Sequence, residues 1–395
     1  MPEYLKKIPM KYYSIVFATD ENYADATYVA IYSIIKSRNI NAQYVFYIFI
    51  RDALSDQMYS LFMNLQNVFV NVEIRIESII CNSNIYTVFD RISPVTFLRL
   101  YAPLYVKDDL CLYLDQDILI HGDVAEIFNF PLENNLIAGA ENVNVEACFE
   151  RINSFCGQEI LNKTVDKYIN AGVILMNLKE MRKQQWQQLI DKLIEKRFPA
   201  GDQDVINVAC KGRIAYMPVC YNYMIKREIL ESQPLILHYA GGKKPWSHPY
   251  LYGGEQWWQL CQETEVFERV LEKWKIFFYL YFRAGGFMPD SRDKLYRFCS
   301  EENNVVIYGA GVIAKRVMKD LKEKKLKVNG IAVADMENNP QEIEGVRVME
   351  VSSYSEKAKK TSILLAVSRD ITAISMELYR YGFKRVLPIA DLYPA

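Results

Sequence analysis

Apolar and polar positions alternate along the chain in a pattern that separates short strands from helices. Runs rich in Val, Ile, Phe and Tyr read as strands: YSIVFAT from residue 13, YVFYIFI, VFVNVEIRI, LCLYLDQDILI (110–120), LIAGAEN, YINAGVILMNL, RIAYMPVCYNYM and LILHYAG, ending near residue 240. Between them 24–38, 55–66 and 179–197 carry helical spacing, and another helix begins around DQDVINVAC. This alternation predicts parallel βαβ units, hence an α/β domain. LCLYLDQDILI reads as one buried central strand interrupted by charges.

A second α/β rhythm follows an aromatic, helical stretch, WWQLCQETEVFERVLEKWKIFFYLYF, that gives way to AGGFMPDSRDK. It consists of NNVVIYGAGVIAKRV and its continuation, then TSILLAV, a helix over 371–381 and KRVLPI. The expected organisation is a main domain over 1–260, a helical connector over 261–300 and a small Rossmann-like α/β domain over 301–395. A length of 395 residues fits more than one core.

Composition narrows the function classes. An apolar fraction of 51% with 24% charged residues describes a well-packed soluble protein, and 47 basic against 48 acidic side chains leave a net charge of −1. No bulk field draws such a chain to nucleic acid or to an anionic membrane, so an anionic ligand must be held by a local site. Eight scattered cysteines without CxxC or metal-finger spacing predict reduced thiols. The N-terminal residues run directly into a strand without a signal-peptide core, which predicts a cytoplasmic protein. WKIFFYLYF (274–282), with Lys273, Lys275 and Arg283 nearby, could rest on a membrane surface or pack between domains.

Candidate chemistry centres on Tyr113-Leu114-Asp115-Gln116-Asp117. Residues two apart on a strand share a face, so Asp115 and Asp117 are expected side by side at the strand's C-terminal end, where open α/β sheets bind ligands. Two carboxylates beside an apolar run need a partner, and a hard divalent cation is a natural one; a solvated strand end is the alternative. His238 in LILHYAGGKKPW is a candidate third ligand, with a structural histidine as the alternative. Gly241, Gly242, Lys243 and Lys244 follow it, offering backbone amides and ammonium groups to phosphates.

With these motifs in order, IVFATDENY (15–23), RISPVTFLRLYAP (91–103), YLDQDILIHGDV (113–124), YINAGVILMNL (168–178), GDQDVIN (201–207) and HYAGGKKPW (238–246), the chain resembles the family 8 glycosyltransferases over about residues 12–260. This is a retaining group that includes bacterial lipopolysaccharide glucosyl- and galactosyltransferases and the glycogenins. The resemblance implies a GT-A type fold that transfers a hexose, glucose or galactose, from a UDP-hexose donor to a glycan or glycolipid acceptor in surface polysaccharide or lipopolysaccharide synthesis. It implies that Asp115, Asp117 and His238 hold Mn2+, with Mg2+ as the alternative. Ala18, Asp20, Asn22 and Tyr23 would form the uridine pocket, Gly241 and Lys244 would grip the diphosphate, and Asn170 and Ala171 would line the sugar. Arg99, Asp202 and Gln203 would stand at the reacting face.

Other readings remain open at this stage. Asn22 could cap a helix, Arg99 could serve a structural ion pair, and Asp202 could cap a helix beginning at Gln203. The whole domain could be a non-catalytic nucleotide-sugar sensor or scaffold, or glucosylate one of its own 28 tyrosines as glycogenins do. In the C-terminal region Gly309, Gly311 and Ala314, with Asp335 some 20 residues on, fit a dinucleotide fingerprint. The same glycines also occur where a helix only packs closely on a sheet.

Overall fold

The computed structural model describes residues 10–81, 93–225, 233–247, 253–283, 292–367 and 371–393. The chain forms two compact units, Met1–Phe267 and Glu268–Ala395.

The strands of the first unit are β1 (Tyr12–Ala18), β2 (Gln43–Ile50), β3 (Val72–Ser78), β4 (Leu110–Leu114), β5 (Ile118–Ile120), β6 (Ile137–Glu141), β7 (Ile169–Asn177), β8 (Ile214–Tyr216), β9 (Tyr223–Met224) and β10 (Ile236–His238). Seven form a sheet in the order β3-β2-β1-β4-β7-β6-β8, and three form a small sheet, β5-β10-β9. The continuous apolar runs of β1 and β2 are buried on both faces, as strands covered by helices on either side require. The helix Ala24–Ser37 connects β1 to β2, and Asp56–Val68 connects β2 to β3. Ser55 caps the second of these helices, its hydroxyl accepting the Met58 amide at 3.3 Å.

Two departures from the expected parallel α/β pattern build the site. β1 to β4 pair in parallel as expected, but β7 runs antiparallel to both β4 and β6. The segment after β6 closes on itself, with the Asn142 amide donating to the Tyr168 carbonyl at 3.2 Å, so β7 enters where β6 leaves. The start of β7 therefore meets the end of β4. The second departure is that LCLYLDQDILI is two strands in two sheets. The Asp115 amide still donates to the Gly172 carbonyl of β7 at 2.8 Å, whereas the Asp117 carbonyl already accepts the Tyr239 amide that follows β10, at 2.9 Å. The chain changes sheets across Gln116, so the acidic triplet is a bend past a strand end and the two-residue strand periodicity does not apply to it.

The segment 179–197 also divides, into helices Leu178–Arg182 and Trp186–Glu195. Asn177 caps the first, and the buried Trp186 indole donates to the Leu100 carbonyl at 2.7 Å at the start of the second.

The second unit contains β11 (Val305–Tyr308), β12 (Gly330–Val333), β13 (Glu342–Ile343), β14 (Val346–Glu350), β15 (Ser362–Leu365) and β16 (Arg385–Pro388), in the order β13-β14-β12-β11-β15-β16. Leaving aside the antiparallel β13, the strands are parallel and follow the doubly wound order in which the first strand lies at the centre. Alternate residues of β11 feed two apolar layers. Val305 and Ile307 pack with Leu295, Ile313 and Leu321 on one face, and Val306 and Tyr308 with Val351, Ala358 and Leu378 on the other. The stretch 274–282 belongs to the helix Phe267–Arg283, and its side chains from 276 onward lie outside the described residues. No described helix is long and apolar enough to cross a membrane.

Candidate active site

Three strand ends converge at the C-terminal edge of β4. Antiparallel pairing of β10 with β5 sets His238 opposite Ile118, next to Asp117. Among the described residues, Asp115, Asp117 and His238 offer one ligand atom each within 4.8 Å of one another. His238 Nε2 stands 3.4 Å from Asp117 Oδ1 and 3.9 Å from Asp115 Oδ2. Ligands of one ion adopt such separations when each bond is about 2.0–2.2 Å.

The surroundings fit a hard divalent cation. Two carboxylates and an imidazole nitrogen are donors that a divalent cation can take without any thiolate. Gly172 supplies the room: a Cβ there would lie 2.2 Å from His238 Cε1 and 2.9 Å from both Asp115 Oδ2 and His238 Nε2. Any side chain at this position would therefore intrude between the ligands. Asp117 is 6% exposed and His238 2%. Burial by itself pushes the Asp117 carboxyl upward, but the Lys244 ammonium and then His238 more than offset this and hold it below the usual carboxylate range.

Lys244 was expected at the phosphates. In the structure its Nζ is paired with Asp117 Oδ2, the oxygen other than the one that faces His238, and donates to the Tyr239 carbonyl at 2.9 Å. Gly241, at φ +102°, turns the same loop after β10 in a conformation that favours glycine.

Arg99 lies in the 3₁₀ helix Pro94–Tyr101 and is 2% exposed. Its Nη2 meets Asp115 Oδ1 at 2.9 Å, its Nε meets Asp202 Oδ2 at 2.9 Å and the Thr96 carbonyl at 2.8 Å, and its Nη1 donates to the Ala171 carbonyl. The plane stacks over Tyr113 at 4.3 Å. Burial opposes the guanidinium charge, yet Asp115 and then Asp202 more than offset it and raise its pKa. These contacts are those of the ion-pair alternative: Arg99 faces inward and holds Asp115 and Asp202 in place.

Asp202 starts the helix Asp202–Ala209, for which Gly201 is the N-terminal flanking residue without a side-chain cap bond. The capping alternative is thereby corrected. Asp202 Oδ1 accepts the Thr96 hydroxyl at 2.6 Å, and burial raises its carboxyl despite Arg99. Gln203 Oε1 accepts the Ala171 amide at 3.0 Å, and its Nε2 donates to Tyr168 Oη at 3.3 Å. Asp204, fully buried, accepts Tyr168 Oη at 2.6 Å, Arg151 Nη2 at 2.7 Å and the Ala200 amide at 2.7 Å.

The β1 loop flanks this centre. The register that pairs Ile15 with Leu112 and Val16 with Tyr113 brings Ala18 level with Asp115. Asp20 Oδ1 accepts the Asn22 and Tyr23 amides at 3.0 and 3.2 Å, and burial raises its carboxyl although both amides oppose the rise. Asn22 does not cap the helix Ala24–Ser37; the flanking residue is Tyr23, again without a side-chain cap bond. The Tyr23 ring lies edge-on to Trp246, 6.2 Å between centroids, which joins the β1 loop to the loop carrying Lys244.

All of the expected site residues in the first unit thus lie around one edge of the sheet. Sequence reasoning missed Gly172, Tyr113, Tyr168, Asp204 and Asn222. A glycine in the middle of an apolar strand, and a second acidic residue two places after Asp202, were the available signals. In the second unit Gly309, at φ +106°, is packed so that a Cβ would lie 2.9 Å from Val367 Cγ1 and 3.2 Å from the Ala366 carbonyl. The described contacts of that glycine are those of the packing alternative.

The architecture of the first unit is that of the GT-A type glycosyltransferases. It superposes on galactosyltransferase LgtC, solved in complex with donor and acceptor sugar analogues, with a TM-score of 0.52 at 23% identity over 64% of this chain and 96% of that one. Residues 14–249 match the sequence profile of glycosyl transferase family 8, and the chain belongs to that family. It is similar to the glycosyltransferase GlyE of Streptococcus pneumoniae, 30% identical over 42% of this chain and 41% of that protein. It is also similar to the lipopolysaccharide 1,2-glucosyltransferase of Escherichia coli, 27% identical over 64% of this chain and 78% of that protein. The matched segment thus spans less than half of the pneumococcal relative's length.

Proposed function

We propose that the first unit transfers a hexose from a UDP-hexose to a glycan or glycolipid acceptor, with retention of configuration, in the synthesis of a surface polysaccharide or lipopolysaccharide. The observation that carries this reading is the convergence of Asp115, Asp117 and His238 beside Lys244 at the sheet edge. A divalent cation, Mn2+ or Mg2+, held by the three would supply Lewis-acid stabilisation of the departing diphosphate.

The chain's own residues do the rest. Lys244 moves its ammonium from Asp117 toward the phosphates, adding fixed positive charge where negative charge develops. Gly241 turns the loop that presents it. Ala18, Asp20, Asn22 and Tyr23 bind the uridine: the ring of Tyr23 stacks on the base, and the polar groups read its edge. Asn170, Ala171 and Gln203 face the sugar, and Arg99 keeps Asp115 and Asp202 oriented.

The acceptor hydroxyl attacks the anomeric carbon on the face that the diphosphate leaves. The bond from that carbon to the phosphate oxygen breaks, and the hydroxyl proton passes to the departing diphosphate. A covalent alternative needs a carboxylate nucleophile, and the candidates nearby are committed elsewhere: Asp202 to Thr96 and Arg99, Asp204 to Tyr168, Arg151 and Ala200. Gln203 is a neutral amide and a poor nucleophile.

A screen of UDP-hexoses for Mn2+-dependent hydrolysis by the full chain tests the reading, since slow cleavage by water needs no acceptor. One UDP-hexose is expected to be cleaved only with the metal present. Equal cleavage in excess EDTA contradicts the metal role. Within the second unit, Glu268–Ala395, residues 301–395 are proposed as a Rossmann-like domain with a structural or partner-docking role, preceded by a helical connector over 261–300. Calorimetry with NAD and CoA tests this, together with UDP-sugar binding beyond the one site expected in the first unit; any such binding would replace that role.

A further inference from the structure

We infer that Asn222 is the positioning residue that fixes the ring tautomer of His238 and couples it to the sugar-facing amides of β7. The inference deepens the function proposed above and rests on it. Asn222 is fully buried, in extended backbone at φ −155°, where the turn Val219–Tyr221 passes into β9. β9 lies parallel to β10 with Met224 beside His238, and Asn222, two residues before Met224, meets the His238 ring at Nδ1.

The polarity of the hydrogen bonds follows from two backbone donors. The Gly172 amide can only donate, and it meets Asn170 Oδ1 at 3.0 Å, which fixes that atom as the carboxamide oxygen. The Asn222 atom 3.0 Å from the same oxygen must then be its NH₂ group. Asn222 Oδ1 is left to face His238 Nδ1, at 2.8 Å. An amide oxygen only accepts, so Nδ1 carries the hydrogen and Nε2 presents its lone pair to Asp115 and Asp117. The chain continues in the other direction with the same consistency. Asn170 Nδ2 reaches Asn142 Oδ1 and Gln203 Oε1, each at 3.3 Å, and the Gln203 atom is fixed as oxygen by the Ala171 amide at 3.0 Å. Two adjacent amides of β7 thus set the direction of an amide relay from Gln203 to the metal-facing nitrogen. Partners of this kind orient metal-bound histidines and fix their tautomer.

The test is Mn2+ titration of the full chain, followed by the electron paramagnetic resonance signal of free Mn2+, with no sugar nucleotide present. Asn222→Ala removes the acceptor and is expected to weaken Mn2+ binding about 10–100-fold. Asn222→Asp keeps the shape and an acceptor for Nδ1–H while losing the donor to Asn170. It is expected to bind Mn2+ at least as well as the wild type, which separates positioning from loss of packing. His238→Ala is the control on the parent reading. If it binds Mn2+ like the wild type, the metal site itself is wrong. If His238→Ala loses Mn2+ but Asn222→Ala loses less than tenfold, or Asn222→Asp is weakened as much as Asn222→Ala, the metal site stands and the role of Asn222 is overturned.

Discussion

The main sheet of each unit changes direction beside its first strand, between β1 and β4 in one unit and between β11 and β15 in the other, and the two places are filled differently. At the first, the strand ends carry Asp115 and Asp117, and His238, Arg99, Asp202 and Asp204 are buried around them. At the second, Gly309 faces Ala366 and Val367, and the buried polar residues described in that unit are Thr361, Ser362 and Ser375, none of them charged. Switch points of α/β sheets are where ligands bind. The contrast shows that topology supplies only the location. What marks a site is the retention of buried charges whose desolvation would otherwise count against the fold.

The predictions press on that contrast. Asp117→Asn removes one ligand and should lower metal-dependent UDP-hexose cleavage at least about a thousandfold, a loss of roughly 4 kcal/mol of transition-state stabilisation, with the thermal unfolding profile retained. Arg99→Met strips the shared partner from Asp115 and Asp202. It should cost about 3–5 kcal/mol in chemical denaturation, because the buried Asp202 and the partly buried Asp115 lose their counter-charge; a loss below 1 kcal/mol would mean that Arg99 is not structural. Gly172→Ala pushes a methyl group between the ligands and should weaken Mn2+ binding about 10–100-fold. Gly309→Ala meets Val367 and a positive φ, and should destabilise the second unit by about 1–3 kcal/mol without changing cleavage. The comparison breaks if this last variant loses cleavage as Gly172→Ala does.

Much of the first unit could be read from the chain because its strands are continuous apolar runs and its motifs are contiguous. Asp115, Asp117 and His238 were legible as ligand types. Their actual arrangement was not, since the expectation used strand periodicity for what is a bend, and the carboxylates meet because the chain changes sheets at Gln116. The direction of β7 was hidden as well: alternating strands and helices suggest crossovers, whereas β7 pairs antiparallel with β6 and the Asn142–Tyr168 hydrogen bond closes the fold-back. The inward turn of Arg99 and the burial of Asn222 depend on partners 72 and 52 residues away, Ala171 and Asn170, which no local pattern records. In the second unit the fingerprint Gly309, Gly311 and Ala314 was visible, but its spacing is shared by ligand-binding and packing turns.

Anomalous scattering from crystals of the full chain soaked in Mn2+ and UDP tests the central claim most directly. The account predicts one strong peak bounded by Asp115 Oδ2, Asp117 Oδ1 and His238 Nε2, with Lys244 turned from Asp117 onto the diphosphate. UDP bound with no metal peak among those three atoms, or with the metal held elsewhere, would contradict it.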